Sequence, residues 1–172
     1  MGGARHRGNE KARSPWLPAF LAVAPAAAAS LIGSLATASS LAPWYASLIK
    51  PPFTPPNWAF GPVWTILYAL MAYAFWRVLT SPPTARRAFA ICMFAAQILL
   101  SAMWSVIFFG LENPASGLVV IIALLGFVAA TIYAFIEIDT LATLLLAPYI
   151  IWVAFTSLLN IGIVILNQGS AA

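Results

Sequence analysis

Residues 114–136 read PASGLVVIIALLGFVAATIYAFI and carry no charged side chain. A helix needs about 20 apolar residues to cross a hydrocarbon core of roughly 30 Å. This stretch alone is long enough to span a bilayer. Asn113 before it has the shape of an N-cap, and Pro114 suits a first helical position, where no N–H is needed. Working outward, the charges punctuate the chain. None lies between Arg13 and Lys50, between Lys50 and Arg77, between Arg87 and Glu112, between Glu112 and Glu137, or after Asp139. The pattern predicts five helices, at about 16–40, 58–80, 85–109, 114–136 and 140–166.

Composition agrees. The 172 residues are 63% hydrophobic and 7% charged. A water-facing surface usually needs about 25% charged residues, so the bilayer is the solvent this sequence fits. The expected fold is an all-α membrane protein, a five-transmembrane-helix bundle over residues 16–166. Residues 1–15 form a basic polar tail and residues 167–172 a short C-terminal tail. The net charge of +4 is not a nucleic-acid signal, because Arg5, Arg7, Lys11 and Arg13 crowd beside the first apolar segment. Such a cluster reads as a topology determinant or an anionic-lipid contact, and no nucleic-acid partner is expected. The segment Trp16 to Ala29 follows basic residues as a signal core would. Its apolar run continues to Leu41, beyond the length of such a core, which favours a retained helix.

The breaks have their own chemistry. Ser81-Pro82-Pro83 ends the second helix, Gly110 can end the third, and Asp139 is a candidate N-cap for the fifth, with its charge at the positive end of the helix dipole. Glu137 and Asp139 read as loop charge and cap rather than as a catalytic pair. The first link differs from the others. Residues 41–63, LAPWYASLIKPPFTPPNWAFGPV, hold six prolines together with Trp44, Tyr45, Phe53, Trp58 and Phe60. An interfacial aromatic belt accounts for the rings. The prolines, which fix φ and remove donors, point instead to a stiff lid over one end of the bundle.

With five spans, Arg86, Arg87 and the basic tail share one side, and Arg77 approaches it, while Lys50 stands alone on the other. The positive-inside rule then puts the N-terminus in the cytoplasm and the lid outside, for a protein of a bacterial cell membrane.

Three helix faces mix large rings with hydrogen-bonding groups at three- and four-residue spacing. They are Phe60, Trp64, Tyr68, Met71 and Phe75; then Gln97, Ser101, Trp104, Ser105 and Phe108; then Tyr149, Trp152, Thr156 and Asn160. Gln97, Ser101 and Asn160 should point inward, since polar groups facing lipid are costly. Either they are interhelical glue beside ordinary aromatic packing, or they are the few placed polar groups of an apolar pocket. Three such faces under one lid favour a pocket, and a flat tetrapyrrole would stack on its walls.

The spanning interiors hold no Asp, Glu, Lys or Arg between the charges named above, and the single histidine is His6. Ion-coupled transport usually needs an intramembrane charge, so a carrier would be passive. Cys92 is the single cysteine, and no metal site is expected. Tyr68, Tyr149, Cys92 and Met71 are of haem-ligating type, but no pattern marks any of them as a ligand.

At the loop and the second helix the sequence stops being anonymous. Trp44-Tyr45-x-x-Leu48-x-Lys50-Pro51-x-x-x-Pro55-Pro56-x-Trp58-x-Phe60-x-Pro62-x-Trp64-x-x-Leu67-Tyr68 closely resembles the signature of the TspO/MBR family. These are the tryptophan-rich sensory proteins, relatives of the mitochondrial translocator protein. Gln97, Trp104-Ser105-x-x-Phe108-Phe109, Asn113-Pro114-Ala115, Pro148-Tyr149-x-x-Trp152-x-x-Phe155 and Leu159-Asn160 extend the match in order. The resemblance implies a five-helix bundle, often a homodimer, with a pocket closed by the first loop. It implies porphyrin or haem-pathway intermediates as ligands, with no cofactor required. By position the family's pocket falls on Tyr45, Pro55, Trp64, Ser101, Trp104 and Trp152. Trp58, Tyr68, Gln97, Phe108, Tyr149 and Asn160 complete the expected ligand-binding set. Trp64 and Trp152 match the tryptophans linked in this family to light-dependent porphyrin breakdown, and are the catalytic candidates if that reaction occurs.

Ser101 stands where many members have Asn, and Thr156 where Ala is commoner. The eukaryotic sterol motif needs a Lys or Arg after the tyrosine of the fifth helix. Nothing after Asp139 is charged, so high-affinity cholesterol binding is not expected. Three functions stay open: a tetrapyrrole binder and sensor acting on pigment or stress regulation, a light- and oxygen-dependent porphyrin-degrading protein, and a passive transporter of small hydrophobic ligands.

Overall fold

The computed structural model describes residues 16–40 and 44–168. The basic tail 1–15, with Arg5, Arg7, Lys11 and Arg13, lies outside the described residues, as do 41–43 and 169–172 of the C-terminal tail. The described chain is all-helical. It consists of α1 (Trp16–Ser40), α2 (Asn57–Thr80), α3 (Ala85–Ser105) continued by a π-helical turn (Val106–Gly110), α4 (Pro114–Ile136), α5 (Thr140–Leu145) and α6 (Ala147–Asn167). Five stretches are long and apolar enough to cross a membrane: Trp16–Ala38, Asn57–Thr80, Ala85–Gly110, Pro114–Ile136 and Thr140–Asn167. The five-span bundle expected from the charge pattern is therefore the fold.

The fifth span is two helices rather than one. Pro148 has no N–H for the carbonyl four residues back, so the ladder breaks. Leu146 N–H turns instead to Thr143 O at 3.1 Å, and Ile150 N–H restarts the ladder on Leu146 O at 3.1 Å. The third span ends in a wider turn, where Leu111 N–H reaches Val106 O, five residues back, at 2.8 Å. Glu112 then takes a left-handed φ of 53° to reverse the chain into α4.

Helix starts follow their caps. The side-chain oxygens of Thr84, Asn113 and Asp139 accept from Arg87 N–H, Ser116 N–H and Ala142 N–H at 3.1, 2.9 and 2.8 Å. Asp139 also takes a two-pronged bond from Arg77, at 2.7 Å from Nη2 and 3.0 Å from Nε. That guanidinium holds the Asp139 carboxyl below the usual carboxylate range. Arg86 pairs with Glu137. The two acids read from sequence as loop charge and cap therefore also tie α2 and α3 to the α4–α5 link.

α1 packs on α2 and α3, α4 packs on α3 and α6, and α5 packs on α2. The core below the lid is a ring stack: Phe75 lies 4.0 Å from Phe94, nearly parallel, and Phe135 continues it at 6.2 Å. α1 is held differently. Ala22, Ala26 and Ala29 form its buried seam, while Trp16, Phe20, Leu31 and Leu35 face outward. Small residues let helices approach closely in lipid, where large ones gain nothing by leaving it.

Candidate ligand-binding site

At the lid end, α1, α2 and α3 enclose a cavity of about 440 Å³, within the usual range for small-molecule sites. Trp64 and Tyr68, one turn apart on α2, stack with ring centroids 5.5 Å apart and form one wall. Trp104 and Phe109, from α3 and its π turn, form a second and meet edge to face at 5.9 Å. Ser30, Gly33, Ser34 and Thr37 of α1 supply a narrow, small-residue side.

The lid is pinned at several points. Tyr45 is buried against Phe109 at 5.5 Å, and Trp44 meets Phe108 edge-on at 5.7 Å. Burial pushes the Tyr45 phenol up. Lys50 Nζ sits 4.7 Å over the Tyr45 ring and donates to Leu48 O at 3.1 Å. Asn167, at the end of α6, brackets Ile49: its Oδ1 accepts from Ile49 N–H at 3.1 Å and its Nδ2 donates to Ile49 O at 2.9 Å. Pro51 rests on α6 at Gly162, where a Cβ would stand 2.4 Å from Pro51 Cγ. That contact is possible only to glycine. Gly162→Ala is thus expected to lift Pro51 and loosen the lid, at about 1–3 kcal/mol for an overpacked contact. Hydrogen exchange at residues 44–54 should rise, and unchanged protection there would show that the loop absorbs the methyl group.

Five of the expected site residues line the cavity: Tyr45, Trp58, Trp64, Tyr68 and Trp104. Four more stand directly behind them. Ser101 Oγ lies 3.2 Å from the Tyr68 hydroxyl. Asn160 Oδ1 accepts from Trp104 Nε1 at 3.2 Å, Phe108 lies 5.3 Å from Trp104, and Tyr149 meets Trp64 edge-on at 6.3 Å. Trp152 is more remote, packed edge-on against Phe60 at 5.8 Å. It is not among the lining residues, so Trp64 and Trp152 are not placed on one wall. Pro55 lies half-buried in the loop and Gln97 is fully buried below, both away from the lining. The Gln97 amide and Trp152 Nε1 are buried and find no hydrogen-bond partner among the described residues.

Sequence reading missed the α1 side. Ser30, Gly33-Ser34 and Thr37 recur at three- and four-residue spacing in an otherwise aliphatic helix. That stripe is the available signal, but its members are small beside the rings of α2, α3 and α6.

The sequence model of the TspO/MBR family matches residues 21–166. "Tryptophan-rich protein TspO" of Archaeoglobus fulgidus is 44% identical over 143 residues, 78% of this chain and 87% of that protein. The protein of the same name from Chlorobaculum tepidum is 40% identical over 141 residues, 81% and 89% of the two chains. The human "Translocator protein" is 35% identical over 149 residues, 85% and 88%.

Proposed function

Because the chain belongs to the TspO/MBR family of sensory and translocator proteins, and is a multi-pass membrane protein, we propose that it binds a flat tetrapyrrole under its lid. A porphyrin or haem-pathway intermediate is the ligand, and binding serves sensing or passive carriage. One observation carries this reading. The cavity of about 440 Å³ is walled by Trp58, Trp64, Tyr68 and Trp104, with hydroxyls from Ser30, Ser34 and Thr37 along one side. Ring faces favour a large π-system, at about 0.5–1.5 kcal/mol per pair beyond area burial. The test is a tryptophan-quenching titration of the purified protein in nanodiscs, with protoporphyrin, haemin and cholesterol, in the dark. Saturable quenching by the tetrapyrroles and none by the sterol is the expected result. Linear, non-saturating quenching by all three would overturn the reading.

A second reading, light- and oxygen-dependent porphyrin breakdown, draws support from Trp64. An oxidisable indole stands on the cavity wall, stacked on a phenol.

The same family reading proposes a homodimer. Ala88 and Ala95 are exposed on α3 as small residues available to a partner helix, whereas Ala102 is buried. A monomer mass in both mild detergent and nanodiscs would count against it. For topology we propose a bacterial cell membrane with the N-terminus cytoplasmic, from the cation asymmetry. Reporter fusions after residue 84 and after residue 172 should then report opposite sides, with residue 84 inside. Reversed sides would refute the orientation.

A further inference from the structure

The cavity is open along α1. A second cavity of about 650 Å³ follows the groove between α1 and α2, floored by Ala22, Ala26, Ala69 and Ala72. It shares Ser30, Thr65 and Tyr68 with the cavity under the lid. Its rims, Val23 and Tyr73, are exposed, and both lie in spanning segments, so the groove faces hydrocarbon. The lid is pinned by contrast: Asn167 clamps Ile49, Pro51 seats on Gly162 and Tyr45 is wedged on Phe109.

Resting on the tetrapyrrole reading above, we propose that the ligand reaches the cavity sideways from the bilayer, through the α1–α2 groove, with Ser30 and Thr65 at the threshold. α1 suits a movable side of such a portal. It buries mainly alanines, and a third cavity, between α1 and α3, flanks its other face. The route also selects. Among the described residues no charged side chain lines either cavity, and an ionised carboxylate in hydrocarbon is costly. Porphyrins with two carboxylates at one edge can trail them at the interface, whereas porphyrins with carboxylates on every edge are excluded.

The test is stopped-flow quenching with protoporphyrin already dissolved in nanodisc lipid. Ala69→Trp and Ala72→Trp fill the groove without reaching the lid-end cavity. Each is expected to slow association and dissociation together by about tenfold, leaving Kd within about twofold, because a barrier on the path raises one transition state only. Ala69→Leu should give a smaller slowing of the same form, which keeps the test decisive if a tryptophan variant fails to assemble. Ile151→Trp, on the exposed face of α6, should change neither rate. Unchanged rates in the groove variants, with wild-type affinity, overturn the portal and leave the binding reading standing. Rates raised by Asn167→Ala, which frees Ile49, and indifferent to Ala69→Trp place the route through the loop and also overturn it. Absence of saturable quenching in the wild type sinks the portal and the binding reading together.

Discussion

Trp64→Ala is expected to weaken protoporphyrin binding by roughly 30-fold, about 2 kcal/mol, the scale of burying one large apolar side chain. Trp64 combines three properties that no other wall residue has together. It lines the cavity, its ring stacks on Tyr68, and Tyr149 closes its far edge. Truncation therefore removes a held surface rather than a mobile one. Trp64→Phe keeps a ring and should weaken binding less than tenfold, since a ring contact contributes about 0.5–1.5 kcal/mol beyond area. Trp152→Phe should weaken it less still, because Phe60 stands at Trp152's edge and Trp152 is not in the lining. A titration showing equal losses for the two Phe variants would mean that the ligand sits deeper than the cavity under the lid.

Illumination separates the two readings of function. If the protein degrades porphyrin, Trp64→Phe should slow breakdown far more than it weakens binding, because indole is much easier to oxidise than a phenyl ring. Equal bleaching by wild type, variant and protein-free detergent would mark the protein as a binder alone. In that reaction Trp64, on the cavity wall, would be the primary participant, and Trp152, packed against Phe60, the more remote one.

Much of this was legible in the sequence, for a physical reason. In a membrane the charges collect between spans or at their ends, so Lys50, Arg77, Arg86, Arg87, Glu112, Glu137 and Asp139 located four links and the five spans. Caps were legible because Asn113-Pro114 and Asp139 have one chemistry each. The inward direction of Gln97, Ser101 and Asn160, which are buried, followed from the same solvent argument. Less visible was what depends on distance across the bundle. No spacing rule says that Pro51 meets Gly162 or that Asn167 clamps Ile49, since each pair is joined only by tertiary packing. The rings of α6 are assigned to the pocket by periodicity and, for Trp152, by the family resemblance. Periodicity shows that Tyr149 and Trp152 share a face of α6, but not that Phe60 and Trp64 stand between that face and the cavity. The α1 side of the cavity is harder to read. Its contribution is mostly absence of bulk, and a stripe of Ser, Gly and Thr is easily overlooked beside seven tryptophans.

Asn160→Leu should be the most destabilising single change of a polar residue in the bundle, at roughly 1–3 kcal/mol. Asn160 is buried where three helices meet. Its Oδ1 accepts from Trp104 Nε1 of α3 at 3.2 Å, and its Nδ2 donates to Pro114 O, at the start of α4, at 2.8 Å. α4 comes this near because residue 117 is glycine, where a Cβ would stand 3.1 Å from the Phe108 ring. Leucine fills the same space but leaves the indole N–H without its acceptor and removes the second, interhelical donor to the Pro114 carbonyl. Hydrogen bonds within membrane bundles average only about 0.6 kcal/mol by double-mutant cycle. Among the described residues Ser105 and Thr156 bond only to carbonyls of their own helices, so their loss should fall at or below that figure. Asn160 exceeds it because bonds to two other helices are lost together. The decisive measurement is an unfolding cycle in bicelles with Trp104→Phe, Asn160→Leu and the double variant. Once the indole N–H is gone, Asn160→Leu should cost less by about 0.6–1.7 kcal/mol. Strict additivity would show that the bond does not contribute, and that Trp104 is held on the cavity wall by its neighbouring rings, Phe108 and Phe109, alone.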